Sequence, residues 1–291
     1  MRKDMDTAQI AAPISGDKLY QIRARKVLPI LVRQAEAGTI IYYSTFADEI
    51  GIPNPRNLNY VLGSIGTTME NLSKAWKIKV PPIQCLVVNN NTGLPGEGVG
   101  WFLIKKEDFS SLSKKKQREI VSAELNHIFS YRQWQEVLSA LSLKPIKSDF
   151  SEKIKKASFS DGRSGGESDE HKRLKEFVAK NPAAVGLSAY TDDGKTEFQI
   201  SSGDSIDVYF QNKKDWVGVE VKSLISNEAD LTRGLFQCVK YKAVMEAMQL
   251  SLGIQQNANS ILALEGKFPS ELVPLKNILG IEVVEKVYEK G

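Results

Sequence analysis

Asp207, Glu220 and Lys222 are the residues whose types and spacing could do chemistry. Glu220 and Lys222 stand two apart and alternate with Val217, Val219 and Val221, while Ile206, Val208 and Phe210 alternate with Asp207 and Tyr209. Period-two alternation gives a strand one apolar face and one face carrying charge. The polar cluster Gln211-Asn212-Lys213-Lys214-Asp215 supplies a reversal between the two strands. An antiparallel pairing about that turn sets Asp207 close to Glu220, with Lys222 on the same side. Two carboxylates and an ammonium on a half-buried face are costly unless they are paired or hold a metal. Mg²⁺ suits them, because it takes one or two carboxylates and completes its shell with water and phosphate oxygens. Lys222 would point at the same water, placed to orient it or lower its pKa for attack on phosphorus. A surface hairpin with a cross-strand salt bridge would use the same residues. The valine ladder, which buries one face, weighs for a site.

The flanking segments must hold these residues in place. Ser168 caps a helix running to about Lys180, with Leu174, Phe177 and Val178 inward and Asn181-Pro182 ending it. Glu170, four residues before Leu174, shares that inward face, with Glu167 in reserve; an ordinary first-turn carboxylate favoured by the helix dipole is the alternative. His171 reads as a surface residue, and Asp204 as a turn residue. Phe198–Ile200 is a first strand. Downstream, Leu231 to about Leu250 is helical and carries Gln237 and Tyr241 four apart on one face, with Arg233 nearby. Later strands fall at 260–264 and 281–284 around a helix near 270–279, so strands alternate with helices in an α/β core.

Asp207 followed by Glu220-Val221-Lys222, with a Ser-Gly-Asp lead-in, an acidic helix start upstream and Gln237-x-x-x-Tyr241 downstream, resembles the PD-(D/E)XK superfamily of metal-dependent nucleases. The resemblance implies a restriction-endonuclease-like mixed sheet flanked by helices. It implies metal held by Asp207, Glu220 and the Val221 carbonyl, with Glu170 assisting and Mn²⁺ able to replace Mg²⁺. Lys222 would activate water and stabilise charge on phosphate, and Arg233, Gln237 and Tyr241 would contact the DNA backbone. For Tyr241, a core aromatic with its hydroxyl tied off is the alternative reading.

The front half is of another kind. Apolar positions from Leu19 to Ala35 fall at helical spacing, and Gly38 is a C-cap. Thr39–Tyr43 is short and β-rich, Ser44 caps a helix closed at Gly51, and after Pro53-Asn54-Pro55 a helix runs from Arg56 to about Ile65. This order suggests a helix-turn-helix or winged-helix module. The stretch from Thr39 through VPPIQCLVVNNNTGLPGEGVGWF, about residues 38–102, resembles the winged-helix domain of alkylguanine-DNA alkyltransferases and their alkyltransferase-like relatives. In that family a Tyr at the strand-to-helix entry rotates a nucleotide, and Tyr43 matches it. An Arg on the recognition helix fills the gap; the aligned residue here is Asn59, with Arg56 one turn earlier. At the nucleophile's Pro-Cys-His-Arg run stand Pro82, Ile83, Gln84 and Cys85. Ile83 cannot attack and Gln84 cannot act as the base, so alkyl transfer is not expected and a DNA-binding scaffold is. Trp76 and Trp101 read as core. Helices follow at about 114–128 and 131–141, the first opening on Lys114-Lys115-Lys116.

The chain has 291 residues, enough for two domains, with ordinary hydrophobic (42%) and charged (25%) content. No run approaches the roughly 20 apolar residues of a membrane span, and the start lacks the apolar core of a secretory signal. Two cysteines, Cys85 and Cys238, suit a reducing cytoplasm rather than a disulfide framework. Residues 1–150 hold 20 Lys and Arg against 14 Asp and Glu, a balance of +6, whereas 151–291 hold 19 against 21. A basic front half suits a polyanion. The segment from Leu143 to Glu167 has few large apolar residues and reads as a linker.

The sequence therefore predicts an α+β chain. Residues 1–145 form a winged-helix DNA-binding domain with a helical extension, 146–165 a linker, and 166–291 a nuclease domain. The expected activity is Mg²⁺-dependent hydrolysis of double-stranded DNA in restriction, phage defence or repair, with a homodimer on analogy alone. A catalytically silent DNA-binding sensor and a ribonuclease stay open.

Overall fold

Buried apolar side chains gather in one cluster drawn from residues 14–143 and in three drawn from residues 150–287. The computed structural model describes residues 11–104, 109–146, 148–159, 168–188 and 191–290, and the chain divides into two units, Met1–Lys147 and Ser148–Gly291.

In the first unit, α1 (Leu19–Ala37) ends at Gly38, whose φ of 70° is the left-handed conformation glycine tolerates. β1 (Ile41–Tyr42) pairs in parallel with β2 (Val87–Val88). α2 (Tyr43–Glu49) and α3 (Leu58–Trp76) flank the Pro53–Pro55 turn. α4 (Gly100–Leu103), α5 (Lys114–Ser130) and α6 (Trp134–Ala140) follow. α3 continues well past the predicted end near Ile65, because Thr68 and Met69 extend its buried face. Gly66 lets it close on Gln84 and Phe102, where a Cβ would collide. Arg33 of α1 holds α2 through a bidentate bond to Glu49 at 2.6 and 2.9 Å. Trp76 packs against the core as expected. Trp101 does not; about half its surface faces solvent.

The second unit is α+β, built on a five-stranded mixed sheet in the order β3–β4–β5–β6–β7. β3 (Lys195–Gln199), β4 (Ser205–Gln211) and β5 (Asp215–Lys222) run antiparallel, whereas β5, β6 (Asn257–Leu264) and β7 (Glu282–Val284) run parallel. A parallel step needs a crossover, and α9 (Glu228–Ser251) supplies it between β5 and β6. On one face, α8 (Asp169–Lys180) brings Leu174 and Val178 onto Val208, Phe210, Val219 and Val221. On the other, α9 packs with α10 (Val273–Leu279), placing Leu235 and Cys238 with Leu262 and Leu275, and Tyr241 and Met245 with Tyr209 and Trp216.

The predicted linker contains a helix, α7 (Ser151–Phe159). Ala157 is buried, its carbonyl accepts from Arg233 Nε at 3.4 Å, and Lys153 Nζ donates to Glu228 at 2.5 Å. Polar contacts and one small residue hold it, so composition alone reads it as a linker. No helix among the described residues is long and apolar enough to cross a membrane.

Candidate active site

β5 is the sheet's centre, buried from Trp216 to Val221. Its alternation sends Val217, Val219 and Val221 to the α8 face. Glu220 and Lys222 face α9, where Gly234 lies against both: a Cβ there would stand 3.1 Å from Lys222 Cε and 3.6 Å from Glu220 Cγ. Lys222 Nζ donates to Glu220 Oε1 at 2.7 Å, with side chains only 12% and 3% exposed. Tyr241 of α9 puts its hydroxyl 2.8 Å from Glu220 Oε2 and 2.9 Å from the Ser205 carbonyl oxygen.

β4 departs from the predicted alternation. Val208 and Phe210 face α8, but Ile206 packs with Tyr209, Tyr241 and Met245 on the opposite side. The β4–β5 ladder runs from Gln211↔Trp216 to Val208↔Val219. At the next position Asp207 accepts a hydrogen bond through its side chain, Oδ2 taking the Val221 N–H at 2.9 Å. A break in the ladder that re-aims one side chain is what a bulge does beside a site. It brings Asp207 to Glu220 and Lys222, which its charge influences.

The two carboxyls are driven apart. Burial pushes Glu220 up to about 7, with the Asp207 charge adding to the rise against the pull of Lys222 and Tyr241. Burial also works to raise Asp207, but the His171 imidazole, the Val221 N–H and Lys222 together hold it below its ordinary value. Lys222 is drawn down by burial and more than restored by Glu220 beside it, so it stays an ammonium. Two acids pushed in opposite directions are a mark of functional sites.

Glu170 is exposed on α8, along an open groove with Asp169, Lys172 and Arg173. The neighbouring His171 is the residue that reaches the cluster, its Nε2 3.6 Å from Asp207 Oδ1. The expectation of a surface His171 therefore gives way. The inward face of α8 is 171–174–175–178, since Lys175 is buried as well as Leu174 and Val178; a buried lysine hides that stripe from a hydropathy reading. Glu167 lies outside the described residues. Of Val221, the structure engages the N–H. Gln237 sits on α9 between Gly234 and Tyr241, and its Oε1 is buried with no hydrogen-bond partner among the described residues. Arg233 is turned to Asp230 at 3.5 Å and to the Ala157 carbonyl. Cys238 is a buried free thiol.

No family model, curated protein or solved structure matches the chain. The site therefore stands on its own geometry.

Whether the residues suit a divalent cation can be judged from their donors. Among the described residues no three His, Cys, Asp or Glu side chains gather as a metal cage. Mg²⁺ does not require one, since two carboxylates with water and phosphate oxygens suffice. Asp207 and Glu220 are hard oxygen donors, and burial with the Asp207 charge raises Glu220 even with Lys222 beside it, so a cation there would favour its ionised form. The buried, unpartnered Gln237 oxygen, a turn of helix from Tyr241, adds an acceptor that a bound water could satisfy. The donor set fits.

In the first unit, Tyr43 opens α2 at its junction with β1 and packs partly against the core. Its hydroxyl accepts the Gly96 N–H at 3.2 Å, fixing the loop after β2, and burial raises its pKa. Arg56 and Asn59 are exposed just before and within the first turn of α3. Gln84 is buried with both amide atoms unpartnered among the described residues, and Cys85 is buried beside it, its thiol raised well above the ordinary value by burial.

Proposed function

We propose that the Ser148–Gly291 unit is a Mg²⁺-dependent phosphodiesterase acting on DNA, and that the first unit grips the duplex. The observation carrying this reading is the acid pair with its lysine: Asp207 bonded to the Val221 N–H, and, on either side of Val221 in β5, Lys222 and the buried Glu220. The PD-(D/E)XK resemblance of the sequence agrees with it.

Asp207 and Glu220 would hold the cation, with Mn²⁺ as a substitute. Bound there, it would supply Lewis-acid polarisation of a phosphate oxygen and a water of lowered pKa. Asp207 is kept ionised by His171, the Val221 N–H and Lys222. Glu220 gives up its proton at about neutral pH. Lys222, fixed by Glu220, presents an ammonium where charge builds on phosphorus oxygens. Tyr241 orients Glu220, and Gln237 offers its free oxygen to water or backbone. Gly234 permits α9 to approach this closely.

The exposed Arg56 and Asn59 of the first unit, within a half carrying a net +6, suit phosphate and groove contacts. Restriction, phage defence and repair are the settings for a cytoplasmic enzyme of this kind, and two copies acting as a dimer would cut both strands. Plasmid incubated with purified protein, with Mg²⁺ and with EDTA, tests the proposal. Metal-dependent degradation is expected, and intact plasmid under both conditions would contradict it.

A further inference from the structure

β3 carries a backbone conformation that its sequence does not call for. The β3–β4 ladder pairs Thr196 with Val208 and Phe198 with Ile206. Between them Glu197 adopts a φ of 52°, the left-handed region that a non-glycine residue occupies at a cost. Its register partner across the ladder is Asp207. On the other side of β4, the pairing with β5 stops one residue short of Asp207, and Ile206 has crossed to the α9 face. Asp207 is thus released from regular pairing on both flanks, which frees its carboxylate to take the Val221 N–H.

A left-handed residue inside a strand persists only where something holds it. Glu197 is held by Lys175 of α8, whose ammonium bonds the Glu197 carboxylate. Lys175 is 4% exposed and Glu197 54%, so the ammonium end of this anchor is out of water, where leaving the charge without its partner is costly. His171, one turn earlier on the same face of α8, reaches Asp207 itself. One helix face therefore grips two residues opposite each other in adjacent strands.

We propose that Lys175 and Glu197 are positioning residues: their ion pair holds the kink in β3 that turns Asp207 out of the ladder and onto Val221, beside Glu220. Neither would touch substrate. The consequence for catalysis rests on the nuclease reading; the geometric claim does not.

The Val221 amide reports the claim directly, because Asp207 is its acceptor. Residue-resolved hydrogen exchange on the full chain would compare Val221 with Val219, its neighbour on β5. Lys175→Met keeps the volume of a buried side chain and removes the charge, and Glu197→Gln neutralises the other partner from the solvent side. In both, Val221 is expected to exchange about tenfold faster relative to Val219, since a strained backbone residue is worth on the order of that factor. If the wild-type chain cleaves DNA, kcat should fall with KM for DNA unchanged. An unchanged Val221-to-Val219 ratio in the variants that fold would overturn the proposal, as would equal acceleration of both amides, which marks general loosening. If the wild type degrades no DNA yet Val221 alone accelerates, the nuclease reading fails and the positioning claim stands.

Discussion

The Tyr241 hydroxyl lies 2.8 Å from Glu220 Oε2 and 2.9 Å from the Ser205 carbonyl oxygen. One hydroxyl hydrogen cannot serve both acceptors at once. With Glu220 ionised, the hydrogen goes to the carboxylate. With Glu220 protonated, the carboxyl can donate to the tyrosine oxygen while the hydroxyl turns to Ser205. Tyr241 therefore accommodates both states of an acid that titrates near neutrality.

Tyr241→Phe removes a donor that favours the ionised carboxylate, so Glu220 should titrate higher still. The acid limb of the pH–rate profile is expected to move to higher pH, with cleavage at pH 7 down about tenfold and partly recovered at alkaline pH. Thermal melts should show a loss of about 1–2 kcal/mol for the unmade bonds. A pH–rate profile superimposable on that of the wild type would count against this role.

Glu220 also sets a pH dependence of stability. Its folded value of about 7 lies above its ordinary 4.5, so the folded chain keeps a proton that the unfolded chain releases. Its contribution is fully present below pH 4.5, declines between 4.5 and 7, and leaves a penalty of up to about 3 kcal/mol above that window. Asp207 works in the opposite sense, stabilising above its ordinary 3.8 and losing that as pH falls. A cation bound to ionised Glu220 should offset the alkaline penalty. Mg²⁺ is thus expected to raise the melting temperature at pH 8 and to do little at pH 5, with a proton released on binding near pH 6 that calorimetry in several buffers would count.

Gln237→Leu separates structure from function. The buried Gln237 oxygen makes no hydrogen bond among the described residues, so its loss should leave the melt unchanged or slightly higher. Cleavage is expected to drop about tenfold, since an unsatisfied buried acceptor one helical turn from Tyr241 is retained for water or substrate. A melt lowered by several degrees with full activity would assign Gln237 to the core instead.

Arg56→Ala and Asn59→Ala concern the first unit. Arg56 should weaken DNA binding at every sequence and reduce the salt slope by about 1, as loss of one phosphate contact does, while Asn59 should weaken binding with the slope unchanged. Fluorescence anisotropy across a salt series distinguishes them; binding unaffected in both variants would place the interface elsewhere.

Much of the site is legible in local pattern. Valine alternation places Glu220 and Lys222 on one side of β5, the polar turn at 211–215 sets the hairpin register, and Ser168 caps α8 by accepting the His171 N–H. Three features escape period and propensity because each depends on a partner distant in sequence. Ile206 leaves the face of Val208 where pairing is interrupted at Asp207, opposite the left-handed Glu197, which alternation cannot register. His171 rather than Glu170 meets Asp207 because Lys175, a residue that reads as solvated, is buried against Glu197. Gly234 looks like a weakness in α9 until Lys222 and Glu220 are found beneath it. The helix at 151–159 was hidden for a related reason, since its contacts to Arg233 and Glu228 are polar.

The most direct measurement is plasmid degradation by the wild type and by Lys222→Ala, each with Mg²⁺ and with EDTA, alongside DNA affinity for both. A Mg²⁺-dependent nuclease should degrade plasmid only with the cation present, and Lys222→Ala should lose cleavage by at least about a hundredfold while binding DNA nearly as well. Cleavage by Lys222→Ala at the wild-type rate, or cleavage that persists in EDTA, would contradict the assignment of chemistry to Asp207, Glu220 and Lys222.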